Sequence, residues 1–344
     1  MILKSISLSN FRNFEKKTFS FDPALTIIVG NNSVGKTNLL EAVFFACTGK
    51  GLKDEKQEEL MKLDEETTEV NAVFDDNTFR IMLRKNGYLE KTFFVDKSKK
   101  MLAHYNKFTP PVAIFSPELI TIIDGQPSLR REFIDHLLSK CDLEYKKRLQ
   151  NYKNGLRRRN KIIEKENDTE KLKKELPFWN NYLIEQAGYI TKKRQWLVDY
   201  HNGNTDLMAH QFSMVYEKNE ISELRFQEYF MKEFYQRRTL IGPQRDDFRI
   251  FKHQKNKKID VHKYCSRGEQ RLALLWLIMN QIRIYEAELK QKPLILLDDI
   301  FSELDDSNKK IVIDLIGKYQ TIISTTEEEF VENLHSKAKL IHIV

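Results

Sequence analysis

Residues 25–46, LTIIVGNNSVGKTNLLEAVFFA, decide the fold. Leu25 to Val29 is a short apolar run with β-branched residues, and it reads as a buried strand. Gly30 to Thr37 fits G-x-x-x-x-G-K-[ST] in full. From Asn38 onward Leu39, Leu40, Val43 and Phe44 fall on one helical stripe. Strand, loop and helix therefore stand in the order a phosphate-binding loop requires. Gly30, Asn31, Asn32, Ser33, Val34, Gly35, Lys36, Thr37 and Asn38 form the candidate cradle. Gly30 and Gly35 let the backbone come close. The N–H groups of the turn converge on phosphate oxygens, and the helix dipole supports the negative charge. Lys36 is the expected partner of the β- and γ-phosphates, and Thr37 offers a hydroxyl to Mg²⁺. A turn that merely connects a strand to a helix does not account for a lysine at the positive end of that helix.

Such a loop needs an acidic partner for the metal. Residues 292–310, KPLILLDDIFSELDDSNKK, supply one. Leu294 to Leu297 reads as a continuous apolar strand closed by Asp298 and Asp299. Asp298 is the expected Mg²⁺ ligand, and Asp299 can orient or deprotonate an attacking water. A carboxylate past a strand end often only caps a helix, but two in a row in a chain with a phosphate loop favour the metal reading. The half-sites lie far apart in sequence yet must surround one nucleotide. Both ends of the chain must therefore fold together into one head, with a second lobe made from the middle.

The rest of the chain is read around that pair. Val70–Phe74, Phe79–Leu83 and Leu89–Val95 read as antiparallel strands, with Asn86-Gly87 as a hairpin turn. Val112–Phe115 is another short strand. From about Pro127 to Phe234 the pattern is long, charged helices with a Pro177 break. The expected division is 1–126 as the first part of the head, 127–236 as a helical insertion and 237–344 as the second part. Leu272, Leu275, Trp276, Met279 and Ile282 recur at helical spacing, with Ser266 as the cap and Glu269 completing a capping box. The fold class is α/β, with a mixed sheet, an antiparallel subdomain and a helical lobe.

The chain has 57 Lys and Arg against 50 Asp and Glu, a formal charge of +7. That suits a polyanion but also a merely soluble protein. Cys47, Cys141 and Cys265 lack metal or redox spacing, so free thiols in a reducing compartment are expected. No leader and no apolar run of membrane length is evident, so a cytoplasmic chain with no membrane partner is expected.

Several motifs in order carry a resemblance. They are LSNFRNFE (8–15), GNNSVGKTNLLEA (30–42), FSPELITIIDGQPSLRREFID (115–135), LRRRNKIIEK (156–165), FWNNYLIEQA (178–187), ITKKRQ (190–195), TLIGPQRDDF (239–248), SRGEQR (266–271) and LILLDDIFSELD (294–305). The chain resembles the head of SMC-class ABC-type ATPases, and more narrowly the RecF-like family of recombination mediators. The resemblance implies a P-loop fold of ABC/SMC-head type. It makes Ser266, Gly268, Glu269 and Gln270 the signature that meets the γ-phosphate held by a second copy. It makes Ser302–Asp305 the D-loop and brings Arg12 towards the nucleotide. It implies ATP and Mg²⁺ as cofactors, and a homodimer closed on two ATP molecules. It also implies weak DNA-stimulated ATP hydrolysis, binding of double-stranded and gapped DNA, and work with RecR and RecO in recombinational repair and replication restart. Lys36, Asp299 and Ser266 are the catalytic candidates. Arg157–Arg159, Lys192–Arg194 and Arg237–Arg238 are basic clusters that could meet the DNA backbone. Departures are Ser33-Val34 where a Gly-led pair is common, Gln244 in place of histidine, and Glu269 in place of glutamine. Ser324–Thr326 carry no switch histidine, and Ser116–Leu119 fall in the Q-loop region. A transport ATPase subunit and a nucleotide-dependent module without turnover are the competing classes. The helical insertion and the LSNFRN opening argue against the first.

Overall fold

The computed structural model describes residues 1–52, 57–207, 209–255, 257–303, 306–326 and 338–343. Leu304 and Asp305 of the expected D-loop and Glu327–Glu329 of the expected switch stretch lie outside the described residues. The chain divides into two compact units, Met1–Ile120 with Ile278–Val344, and Thr121–Leu277.

The first unit holds two sheets. One is parallel, in the order β15 (Lys339–His342), β3 (Leu25–Val29), β14 (Thr321–Thr325), β13 (Leu294–Asp298) and β8 (Val112–Phe115). β13 and β14 are buried at every position. Continuous apolar runs such as Leu294–Leu297 are what a strand covered on both faces needs. The other sheet is antiparallel, in the order β2 (Phe14–Ser20), β1 (Leu3–Phe11), β4 (Thr67–Phe74), β5 (Asn77–Asn86), β6 (Tyr88–Val95) and β7 (Ser98–Lys100). Here β4 alternates buried and less buried positions, the pattern of a sheet with one face on a core. Gly87 turns β5 into β6 with φ 71°, a left-handed value glycine adopts without strain.

The helix Lys36–Thr48 packs against strands of both sheets. Ten of its thirteen residues are buried. The expected single stripe is therefore too narrow, because a helix with a sheet on two sides has little solvent face.

The second unit contains the helices Pro127–Cys141, Leu143–Lys165, Thr169–Asn202 and Glu223–Gln236. The last three start on side-chain caps, Asp142, Asp168 and Ser222. Pro177 lies inside Thr169–Asn202 and does not break it. It is solvent-exposed, so the carbonyl it leaves without a partner meets water. The stretch read as wholly helical also contains β9 (Asp206–Leu207) and β10 (His210–Glu217). These form a four-stranded antiparallel sheet with β11 (Asp247–Gln254) and β12 (Lys257–Asp260), in the order β12-β11-β10-β9. That pairing draws the chain after 237 into the second unit, and the division falls at 277/278 instead of 236/237.

Candidate functional site

In a parallel sheet every strand ends at the same edge. Register pairs Val29 with Thr325 and Ser324 with Asp298, so the loop after β3, the end of β14 and the end of β13 meet there. Carboxyl ends of such strands are where open α/β sheets bind ligands.

Thr37 Oγ1 lies 3.0 and 2.9 Å from the two carboxylate oxygens of Asp298, across 261 residues of chain. Ser324 donates to Asp298 Oδ1 at 2.5 Å. Asp298 is 5% exposed. Burial pushes its carboxyl above the usual range, and the charges of Asp299 and Glu118 add to the rise. The hydroxyls of Ser324 and Thr37 oppose it. A hydroxyl and a dry carboxylate side by side are hard oxygen donors of the kind Mg²⁺ takes. Asp299 follows with a left-handed backbone, φ 47°. Its N–H reaches Ser324 O at 3.1 Å and Ser324 Oγ at 3.2 Å.

Lys36 is buried, and its ammonium donates to the carbonyls of Gly30 and Asn31, each at 2.8 Å. The cation is thus folded back over the loop it belongs to. Asn31, Asn32 and Ser33 are exposed. The glycines have close neighbours in the protein itself. A Cβ on Gly30 would stand 2.4 Å from Ile343 O, and one on Gly35 2.5 Å from Asn13 Nδ2. Ser33 has φ 68°, which accounts for the glycine common at this position.

Arg12 does not point freely at the loop. Its guanidinium pairs with Glu41 at 2.8 and 3.1 Å and donates to Glu59 O at 2.8 Å. Its neighbour Asn13, which the sequence reading passed over, touches the loop directly. Asn13 Nδ2 donates to Val34 O at 3.0 Å, and Asn38 Nδ2 donates to Asn13 Oδ1 at 2.8 Å. The signal for it was there, one residue beyond Arg12 in FRN.

Ser266, Gly268, Glu269 and Gln270 belong to the second unit. The capping box forms as the spacing predicts: Glu269 accepts from Ser266 N at 2.8 Å, and Glu269 N donates to Ser266 Oγ at 3.3 Å. Lys252 donates to the other carboxylate oxygen of Glu269 at 2.6 Å. That bond comes first among those that lower the Glu269 carboxyl below its usual range. Gln270 is buried, with its amide on the carbonyls of Val261 and His262. A Cβ on Gly268 would meet open space.

The basic clusters divide. Arg159 is 1% exposed and pairs with Glu233 at 2.7 Å. Arg194 is 2% exposed and is held by Asp135 and Asp246. Arg237 is spent on the carbonyls of Ile163 and Glu166. These three are structural cations, which corrects the expectation for them. Arg157, Arg158, Lys192 and Arg238 are exposed. The same network explains other motifs: Arg130 binds Asp247, and Arg131 binds the carbonyl of Asp246.

A strand–loop–helix cradle joined to an aspartate pair on a parallel sheet, with an antiparallel sheet on the same helix, defines a P-loop head of the ABC type. The family model of the RecF/RecN/SMC N-terminal domain matches residues 2–343. The DNA replication and repair protein RecF of Agathobacter rectalis is 32% identical over 363 residues, covering 100% of this chain and 98% of that protein. RecF of Bacillus cereus strain G9842 is 30% identical over 371 residues, covering 100% and 97%. The chain belongs to the RecF family of DNA replication and repair proteins. A solved structure of the recombination mediator RecF with ATP, from the RecFOR pathway, aligns at TM-score 0.83 and 29% identity, over 95% of this chain and 92% of that one. An Smc head from Pyrococcus furiosus shares the fold alone, at TM-score 0.52 and 18% identity. Among the described residues no helix is long and apolar enough to cross a membrane.

Proposed function

We propose that this chain is an ATP-dependent DNA-binding protein of recombinational repair and replication restart. The observation that carries the reading is the Thr37–Asp298 contact, which closes two distant half-sites into one. The RecF family membership and the ATP-bound relative support it.

In this reading Lys36 leaves the carbonyls of Gly30 and Asn31 and takes the β- and γ-phosphates. Thr37 and Asp298 hold Mg²⁺, which supplies charge neutralisation at the phosphates. Asp299 orients the water for in-line attack. Ser266 and Gly268, from the exposed start of the signature helix of a second copy, close on the γ-phosphate. ATP binds the closed dimer more tightly than the open one, so it shifts the population towards closure, and hydrolysis releases it. The closed dimer holds double-stranded or gapped DNA through exposed lysines and arginines such as Arg157, Arg158 and Lys192. RecR, with RecO, is the partner expected from the pathway named for the relative.

The test is ATP hydrolysis with and without gapped duplex, together with sedimentation in ATP. Lys36→Ala is expected to abolish ATP-driven dimerisation and DNA binding; retention of both would refute the mechanism. Ser266→Arg is expected to leave ATP binding by monomers intact and to remove dimerisation. Unchanged dimerisation in that variant would sink the role across subunits.

A further inference from the structure

The turn between β1 and β2 faces the phosphate loop, and its geometry is costly. Arg12 has φ 51°. A left-handed backbone is unfavourable at a residue with a Cβ. Such a conformation persists only where contacts over-determine it. Arg12 N–H donates to Leu60 O at 2.9 Å, and the guanidinium is fixed on Glu41. The effect is to deliver the next side chain, Asn13, to the outside of the loop.

Asn13 uses both ends of its amide there. It donates to Val34 O at 3.0 Å and accepts from Asn38 Nδ2 at 2.8 Å. The amide also lies flat against Gly35, where a Cβ would stand 2.5 Å from Nδ2 and 2.8 Å from Oδ1. In a planar trans peptide the carbonyl and the following N–H point in opposite directions. Drawing Val34 O outward to Asn13 therefore turns Gly35 N–H away from Asn13, into the cradle. Asn38 ties the same amide to the first turn of the helix, so loop and helix are set by one side chain.

We infer that Asn13 is a positioning residue of the phosphate cradle, which presets the Val34–Gly35 peptide so that Gly35 N–H is aimed at the bound phosphates. This rests on the reading of the loop as an ATP site. Asn13 acts before nucleotide arrives and touches the protein side of the loop. Its contribution is to binding, because the order it imposes is otherwise lost as entropy when the phosphates bind. The hydrolytic groups, Asp298 and Asp299, are untouched by it.

The test uses the full chain with Mg²⁺ and a fluorescent N-methylanthraniloyl ATP. Wild type is expected to bind it and Lys36→Ala is not; failure there sinks the ATP reading and is distinguishable from failure of this inference. Asn13→Ala is expected to weaken binding about fivefold, the size of one lost hydrogen bond. Its kcat at saturating ATP should stay within about twofold, so the change is carried by KM. Ser7→Ala, which loses a hydroxyl contact with Thr18 on the same hairpin, is the control and should leave affinity unchanged. Should Asn13→Ala fold poorly, Asn13→Ser loses the same reach and serves in its place. Unchanged affinity overturns the inference. So does an affinity loss that appears only together with a matching fall in the nucleotide-free melting temperature, since that marks a merely structural asparagine.

Discussion

Ser33 stores strain at the point where the phosphate loop bends. With φ 68° it sits in the left-handed region, where a side chain costs about 1–2 kcal/mol. Glycine would remove that cost but lose about 0.5–1 kcal/mol to the freedom of the unfolded chain. Ser33→Gly is therefore expected to stabilise the protein by about 0.5–1 kcal/mol in urea unfolding. Ser33→Val, with a β-branched side chain at the same φ, is expected to destabilise it. The GKT run marked this loop unambiguously. Nothing local showed which residue would carry the left-handed turn, or that the free space at Gly35 was taken by Asn13.

One helix of the second unit, Thr169–Asn202, carries two titrating or charged groups deep in the protein. His201, near the end of the helix Thr169–Asn202, is fully buried beside the Trp276 ring, at 5.3 Å between centroids. Its Nδ1 meets Leu197 O at 2.8 Å, and Nε2 has no hydrogen-bond partner among the described residues. Burial lowers its pKa from 6.5 to about 4. The unfolded chain therefore binds a proton below pH 6.5 that the folded chain refuses until about pH 4, so stability falls with falling pH across that window. The loss is on the order of 3 kcal/mol at its full extent. Urea titrations from pH 7 to pH 4, followed by tryptophan fluorescence, should show it, and His201→Phe should flatten the slope. On the same helix Arg194 holds Asp135 at 2.9 Å and Asp246 at 2.6 Å. Arg194→Met leaves the buried carboxylate of Asp246 and the half-buried one of Asp135 without their cation and is expected to cost about 3–5 kcal/mol in urea unfolding. Arg158→Ala, on the exposed face, should stay within about 0.5 kcal/mol. A run such as KKRQ gives no sign of which of its cations turns inward. The helical phase and the acids that receive it come from other elements.

At the scale of the molecule, one glutamine fastens the two ends of the chain. Gln320 is 6% exposed; it accepts from Leu3 N at 2.8 Å and donates to Leu3 O at 2.8 Å and to Asp22 O at 2.9 Å. Both strand β1 and the approach to β3 are thereby tied to the residue just before β14. Gln320→Ala would leave those backbone groups unsatisfied and is expected to lower stability by about 2 kcal/mol, read in urea unfolding. That the termini fold together was legible from the separation of Gly30 and Asp298, because a phosphate loop without its acid is chemically incomplete. The position of the unit boundary was not. Residues 237–277 read as part of the head, yet β11 pairs with β10, and strand pairing depends on a partner that local sequence does not name. The sequence by itself determined the strand, loop and helix around Gly30–Thr37, the aspartate pair at the end of β13, the capping box at Ser266 and the family. In each of these, chemistry needs particular residue types at fixed short spacing. Tertiary structure alone decided that Arg12 rests on Glu41, that Asn13 grips the loop, and that Arg159 and Arg194 are buried. Those outcomes depend on which distant groups arrive beside a side chain, and a cation or amide takes the nearest partner that relieves the cost of leaving water.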